Sequence, residues 1–154
     1  AHGGGGRTAG LVSLTRAGDD PRELLRALDA FASGRVATDV TYALGLRAAK
    51  PVQRGFDTSR APDGSTWRPL KSPRDRGRRP LRKTDALYRA ATTIRFTADG
   101  FMLVSTSIGS YHQSEAPRSR LPRRAFFPDE SGLSVGWAIE LRDAADEAVR
   151  RWLP

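Results

Sequence analysis

The chain has 154 residues and no cysteine, and its 26 Lys+Arg against 17 Asp+Glu give a formal charge of +9, with an isoelectric point near 11.1 and a mean hydropathy of −0.50. That length suits one hydrophobic core, and the lack of cysteine excludes disulfides, thiol catalysis and cysteine-ligated zinc. No apolar run reaches the roughly 18 residues that span a bilayer, and no signal-peptide core follows the start, so a soluble protein without a membrane partner is expected. The charge favours contact with nucleic acid, with acidic protein surfaces, or with both. Arginine far outnumbers lysine; its planar fork suits interfacial ion pairs as well as phosphates, although a GC-rich genome would enrich it too.

Residues 1–9, with the run Gly3, Gly4, Gly5 and Gly6, read as a flexible arm, and 10–154 as a single domain. Weak alternation over 10–16 predicts a short strand. Asp20 as cap, Pro21 at the first helical position and Glu23 three residues after the cap predict a helix start. Its apolar stripe is Leu24, Leu25, Leu28 and Phe31, and Gly34 ends it. A second helix is predicted from 35 to about 54, with Val36, Val40, Leu44 and Ala48 on one face and Gly55 as its stop.

Over 57–83 the periodicity dissolves. Prolines stand at 62, 69, 73 and 80, a turn at Asp63 and Gly64, and arginines cluster from 74 to 82. A loop this long inside a small domain is usually functional or disordered. Trp67 and Leu70 are its large apolar anchors, able to pin it to the body or to a neighbour.

Thr84 and Asp85 then predict a cap for a short helix carrying Leu87, Tyr88 and Ala91. A hairpin follows, with Ile94 and Phe96 on one strand, a turn at 98–100, and Phe101, Leu103 and Ser105 on the returning strand. Tyr111, His112 and Gln113 lead into a second basic loop over 117–124, and Phe126 and Phe127 form an apolar pair. After a turn at 129–132 a closing helix is predicted from about 134 to 152. Its inward stripe is Ala138, Leu141, Ala145, Ala148, Val149 and Trp152, with Asp143, Asp146, Glu147 and Arg150 outside. The order predicts an α+β fold: an antiparallel sheet packed against helices, with long extended basic loops.

Catalytic chemistry is hard to assemble from these residues. With two histidines, one of them in the glycine arm, any triad or histidine–metal site would depend on His112 alone, and a lone histidine is more often a structural hydrogen-bonding residue. Asp143, Asp146 and Glu147 fit a solvated helix face better than acid–base work. The glycine run lacks the Gly-Lys-Ser/Thr ending and preceding strand of a phosphate loop, and no serine sits in a nucleophile elbow. No enzyme, cofactor or metal is expected. Arg74, Arg76, Arg78, Arg79, Arg82 and Lys83 can neutralise phosphates or face a protein partner, but no zinc finger, helix-turn-helix or aromatic-studded basic strand accompanies them.

Four segments in order resemble the phage virion morphogenesis (tail completion) family. Residues 56–70, Phe-Asp-Thr-Ser-Arg-Ala-Pro-Asp-Gly-Ser-Thr-Trp-Arg-Pro-Leu, are similar to the family's helix end, Pro-Asp-Gly turn and Trp-x-Pro-Leu. Residues 81–87, Leu-Arg-Lys-Thr-Asp-Ala-Leu, resemble its Leu-x-x-Thr-Gly-x-Leu. His112 and Gln113 match a His-Gln core, and 121–128, Leu-Pro-Arg-Arg-Ala-Phe-Phe-Pro, resemble Ile-Pro-x-Arg-Pro-Phe-Leu. The likeness runs from about 20 to 152. Asp85 stands where the family has glycine, Ala125 where it has proline, and 114–116 (Ser-Glu-Ala) where it has Phe-Gly-Gly.

The resemblance implies a structural virion protein, assembled in the bacterial host cytoplasm. It would complete the tail at the head–tail junction as part of a homo-oligomeric, hexameric ring. Its partners would be copies of itself, tail-tube proteins and neck or connector proteins, with transient contact to DNA passing through the lumen. The alternatives are a small basic nucleic-acid-binding protein or another neck component. On this reading Asp63, Gly64, Trp67, Pro69, Leu70, His112, Gln113, Arg124, Phe126 and Phe127 anchor the loops or line subunit interfaces, ordinary core packing being the other account of the aromatics. The basic residues from Arg74 to Lys83 face a partner or DNA.

Overall fold

The computed structural model describes residues 21–114, 122–129 and 132–153. The glycine arm, the strand at 10–16, the Asp20 cap and most of the loop at 117–124 lie outside the described residues. Helix α1 (Pro21–Ala32) is followed by α2 (Arg35–Thr58), a 3-10 turn (Pro73–Asp75), α3 (Ala86–Thr92), the strands β1 (Ile94–Thr97) and β2 (Gly100–Leu103), α4 (Ser107–Gln113) and α5 (Val135–Arg150). The fold is α+β, a two-stranded antiparallel sheet packed against helices.

α2 organises the rest. At 24 residues it is about 36 Å long, and it packs mainly on α5, with α1, α3 and the hairpin along its other sides. Of the expected stripe Val36 and Ala48 are buried and Val40 and Leu44 half-buried, and the buried line continues through Val52 to Phe56, one turn beyond the sequence expectation. Gly55 does not stop the helix. It leaves room for a neighbouring backbone, since a Cβ there would stand 2.9 Å from the Arg60 carbonyl oxygen. The stop is Ser59, at φ 55, whose N–H bonds back to the Gly55 carbonyl. The buried Pro51 inside the helix has no N–H to donate to the Arg47 carbonyl.

α1 departs from expectation. Ala27 and Ala30 are its buried residues, while Leu25, Leu28 and Phe31 are 65%, 56% and 45% exposed. Gly34, at φ 78, turns the chain between α1 and α2, and the small alanines meet the body in place of the leucine stripe.

α5 is fixed to α2 from end to end. The Trp152 indole donates to Asp39 at 2.9 Å, Arg47 pairs with Glu147 at 3.0 Å, and Arg54 pairs with Glu140. Its buried residues are Trp137, Ala144 and Ala148. Leu141 is partly buried, whereas Ala138, expected inward, is exposed because Trp137 takes the inward position of that turn.

The expected hairpin is present, and in its register Ile94 stands opposite Leu103 and Phe96 opposite Phe101. The return strand ends at Leu103, short of the expected extension through Ser105 to Ser107, and the chain then enters α4, a helix the sequence pattern does not predict. Thr106 starts that helix by accepting from the Gly109 N–H at 3.2 Å. At the centre of the core, Phe56 has no exposure. Its ring meets Trp67 at 5.5 Å, Tyr88 at 5.5 Å and Phe126 at 5.4 Å.

Candidate assembly interface

Residues 59–67 form a small hairpin at the C-terminal end of α2. Arg60 bridges Thr66, the Trp67 N–H donates to the Ser59 carbonyl at 2.8 Å, and the Gly64 N–H donates to the Ala61 carbonyl at 2.9 Å. The turn uses its residues as their chemistry suggests. Pro62 supplies a fixed φ, Gly64 takes φ +89, and the Asp63 carboxylate accepts from both the Ser65 hydroxyl and the Ser65 N–H, at 2.6 and 2.8 Å. Those two bonds hold the Asp63 carboxyl below the ordinary carboxylate range.

From this hairpin Trp67 reaches into the core at 4% exposure, and its indole N–H donates to the Ala125 carbonyl at 2.8 Å. The segment 122–129 answers in kind. Arg124 is 5% exposed; its Nε donates to the Arg68 carbonyl at 2.9 Å and its Nη2 to the Pro69 carbonyl at 3.4 Å. Burial lowers the proton affinity of that guanidinium. Leu70 is half-buried beside it.

Gln113, the last residue of α4, pins the same segment from the other side. Its Oε1 accepts from the Phe126 and Phe127 N–H groups at 3.0 and 3.1 Å, and its Nε2 donates to the Phe127 carbonyl at 2.7 Å. His112 is buried next to it, its Nδ1 3.4 Å from the Pro122 carbonyl, while its own carbonyl accepts from the Arg124 N–H at 2.9 Å. Burial lowers the His112 pKa from its ordinary value; the Pro122 carbonyl pulls it up, and the nearby Arg124 charge adds to the lowering.

Trp67 and Phe126 therefore belong to the protein's own core and are not offered to a neighbour, because the 5.5 and 5.4 Å ring contacts with Phe56 enclose them. Phe127 packs on Phe126 at 4.7 Å and stays partly buried. Asp63, Gly64 and Pro69 are exposed on the outer side of the first loop.

The six basic residues divide into two groups. Arg78 pairs with Asp75 at 2.6 Å, Arg79 with Asp57 at 3.2 Å, and Arg82 with both Asp57 at 3.0 Å and Asp85 at 2.5 Å. Arg82 also lies over the Tyr88 ring, 4.1 Å from its centre. Arg74, Arg76 and Lys83 are exposed, and their side chains form no ion pair among the described residues. Sequence reasoning does not sort the two groups, because Asp57 is 25 residues from Arg82 and sits in a last turn of α2 that lies beyond the helix the local pattern predicts.

Among the described residues no group of three His, Asp or Glu side chains is placed to hold a metal ion. No helix among them is long and apolar enough to cross a membrane. Comparison with family models, with curated proteins and with solved structures finds no match to this chain.

Proposed function

We propose that the protein is a structural component of a tailed phage or phage-like particle. It completes the tail at the head–tail junction as one subunit of a ring and joins the tail to neck or connector proteins. The observation that carries this reading is the convergence of the four family-like segments, which lie far apart in sequence, on one cluster. Trp67 bonds to Ala125, Arg124 to Arg68 and Pro69, and Gln113 to Phe126 and Phe127, while Leu81 and Leu87 pack in the same core. A second observation agrees with it. Asp85, standing where the family has glycine, takes φ +55, a conformation that glycine adopts freely and aspartate tolerates.

On this reading the buried ends of the two loops are anchors and their outer surfaces are the contacts. A ring needs heterologous contacts, one patch meeting a different patch on the next copy. Asp63, Gly64, Arg74, Arg76 and Lys83 stand outward for that purpose, and no catalytic role is assigned. The unpaired cations Arg74, Arg76 and Lys83 favour a second reading, nucleic-acid contact, whose affinity would fall steeply with salt.

The test is electron microscopy of particles from a producer strain with the gene deleted and then restored. Filled heads beside unattached or wrong-length tails, rescued by complementation, are expected. Normal joined particles in the deletion strain would overturn the assignment.

A further inference from the structure

On the inner side of the first loop lies a cavity of about 520 Å³, within the range of small-ligand sites. Its apolar wall comes from Leu70, Leu81, Leu87 and Ile108. Its cations are Arg124, Lys83, Arg78 and Arg79, the last two already paired with Asp75 and Asp57. Ile108 is 63% exposed although it lies next to buried Gly109 in α4.

Arg124 is the unusual member. It is more than nine-tenths buried, yet its two side-chain bonds, from Nε and Nη2, go to neutral backbone carbonyls. Nη1 has no partner, and no carboxylate pairs with the guanidinium among the described residues. No fully enclosed side-chain nitrogen among them lacks a hydrogen bond, so Nη1 keeps some exposure, and Arg124 is one of the residues that line the cavity. A desolvated cation with a free donor stabilises an anion strongly, because the cost of taking the cation out of water has already been met in folding. The Asp75 carboxylate at the rim is taken by Arg78 at 2.6 Å. Lys83 at the same rim has no ion pair.

We propose that this cavity receives a protein segment carrying a carboxylate beside a leucine-sized apolar side chain. The carboxylate meets Arg124 Nη1 under the field of Lys83, and the apolar group enters between Leu70, Leu81, Leu87 and Ile108. A nucleic-acid backbone satisfies half of that description, since its phosphate suits the arginine but leaves the leucine wall uncovered. The inference deepens the assembly reading by naming the chemistry of one contact, and it rests on that reading in taking the occupant to be a protein.

The test uses N-acetyl-leucine, which carries both groups, titrated into the purified full chain while the leucine and isoleucine methyl signals and the arginine Nε–H signals are followed by NMR. Saturable shifts at Leu81, Leu87, Ile108 and Arg124 are expected. The neutral N-acetyl-leucine amide should bind at least about tenfold more weakly. Ala86→Phe, which adds bulk at an exposed lining position and leaves Arg124 itself unchanged, should abolish the shifts in a protein that unfolds at the same urea concentration as wild type. Absence of saturable shifts, equal binding of the amide, or persistence of binding in Ala86→Phe would each overturn the proposal. So would a short oligothymidylate that produced the same shifts more tightly. Binding is read on purified protein and tail completion on particles, so either can fail while the other stands.

Discussion

The indole nitrogen of Trp67 and the backbone carbonyl of Ala125, 58 residues apart, are joined by a hydrogen bond of 2.8 Å. That bond ties the first loop to the segment that follows the second. Trp67→Phe keeps an aromatic ring against Phe56 but removes the indole N–H and part of the buried ring system. It leaves a buried carbonyl without a partner and should destabilise the fold by about 1–3 kcal/mol. Urea unfolding of the two proteins checks this, and an unchanged midpoint would show that water or a shifted neighbour replaces the indole.

Gln113 should matter more, because it serves three backbone groups at once. Gln113→Leu preserves volume and abolishes all three bonds, at about 1–3 kcal/mol for each backbone group left unpaired. Gln113→Glu keeps the acceptor for the Phe126 and Phe127 N–H groups and loses the donor to the Phe127 carbonyl, so its loss should be intermediate. Melting temperatures in the order wild type, Glu variant, Leu variant are expected.

His112 sets a pH dependence. Its folded pKa lies below the ordinary 6.5, burial being the main cause, so the unfolded chain takes up the proton more readily than the folded one. Stability from this group is therefore complete above about pH 6.5 and is lost as the pH falls below that value, until the folded pKa is passed. Melting curves between pH 8 and pH 5 should show the decline. His112→Gln, which cannot titrate, should flatten it, and an equal decline in that variant would assign it to other groups.

The divided basic cluster gives a further contrast. Arg82→Ala removes two carboxylate contacts and the stacking over Tyr88, together worth about 1–2 kcal/mol for a half-exposed site. Arg74→Glu, Arg76→Glu and Lys83→Glu should each change stability by less than about 0.5 kcal/mol. Thermal shift of the purified variants separates the groups, and particle assembly should then be sensitive to the second group and not to stability alone.

Local signals in the sequence mark most of the elements. The place of α3, the strands of the hairpin and the course of α5 are legible from residues a few positions apart, although Asp85 makes no side-chain cap on α3 and gives its carboxylate to Arg82 instead. What is not legible depends on distant chain. α4 carries Ser107, Gly109 and Ser110, poor helix formers, and forms around a Thr106 cap with a glycine beside Leu87 and Phe126. Gly55 resembles a helix stop because glycine often is one, and only the approach of Arg60 reveals its other use. Trp137 was missed because the stripe was set one residue out of phase at the start of α5. In the candidate site, Gln113 and Arg124 were picked out by motif, but their backbone partners at 126–127 and 68–69 required the fold.

The leucine-rich face of α1 has a consequence for how the molecule opens. An apolar stripe announces that a face suits cover, not that the same chain supplies it. With Ala27 and Ala30 as its buried side chains, α1 adds little apolar area to the interior and is held through a glycine joint and a few contacts to α2. Its backbone amides should trade hydrogen for deuterium through local fraying at low free energy, whereas those around Val52 and Phe56 wait for the whole domain to unfold. A weakly held helix with an oily outer face is thus, among the described residues, the first part free to change its company.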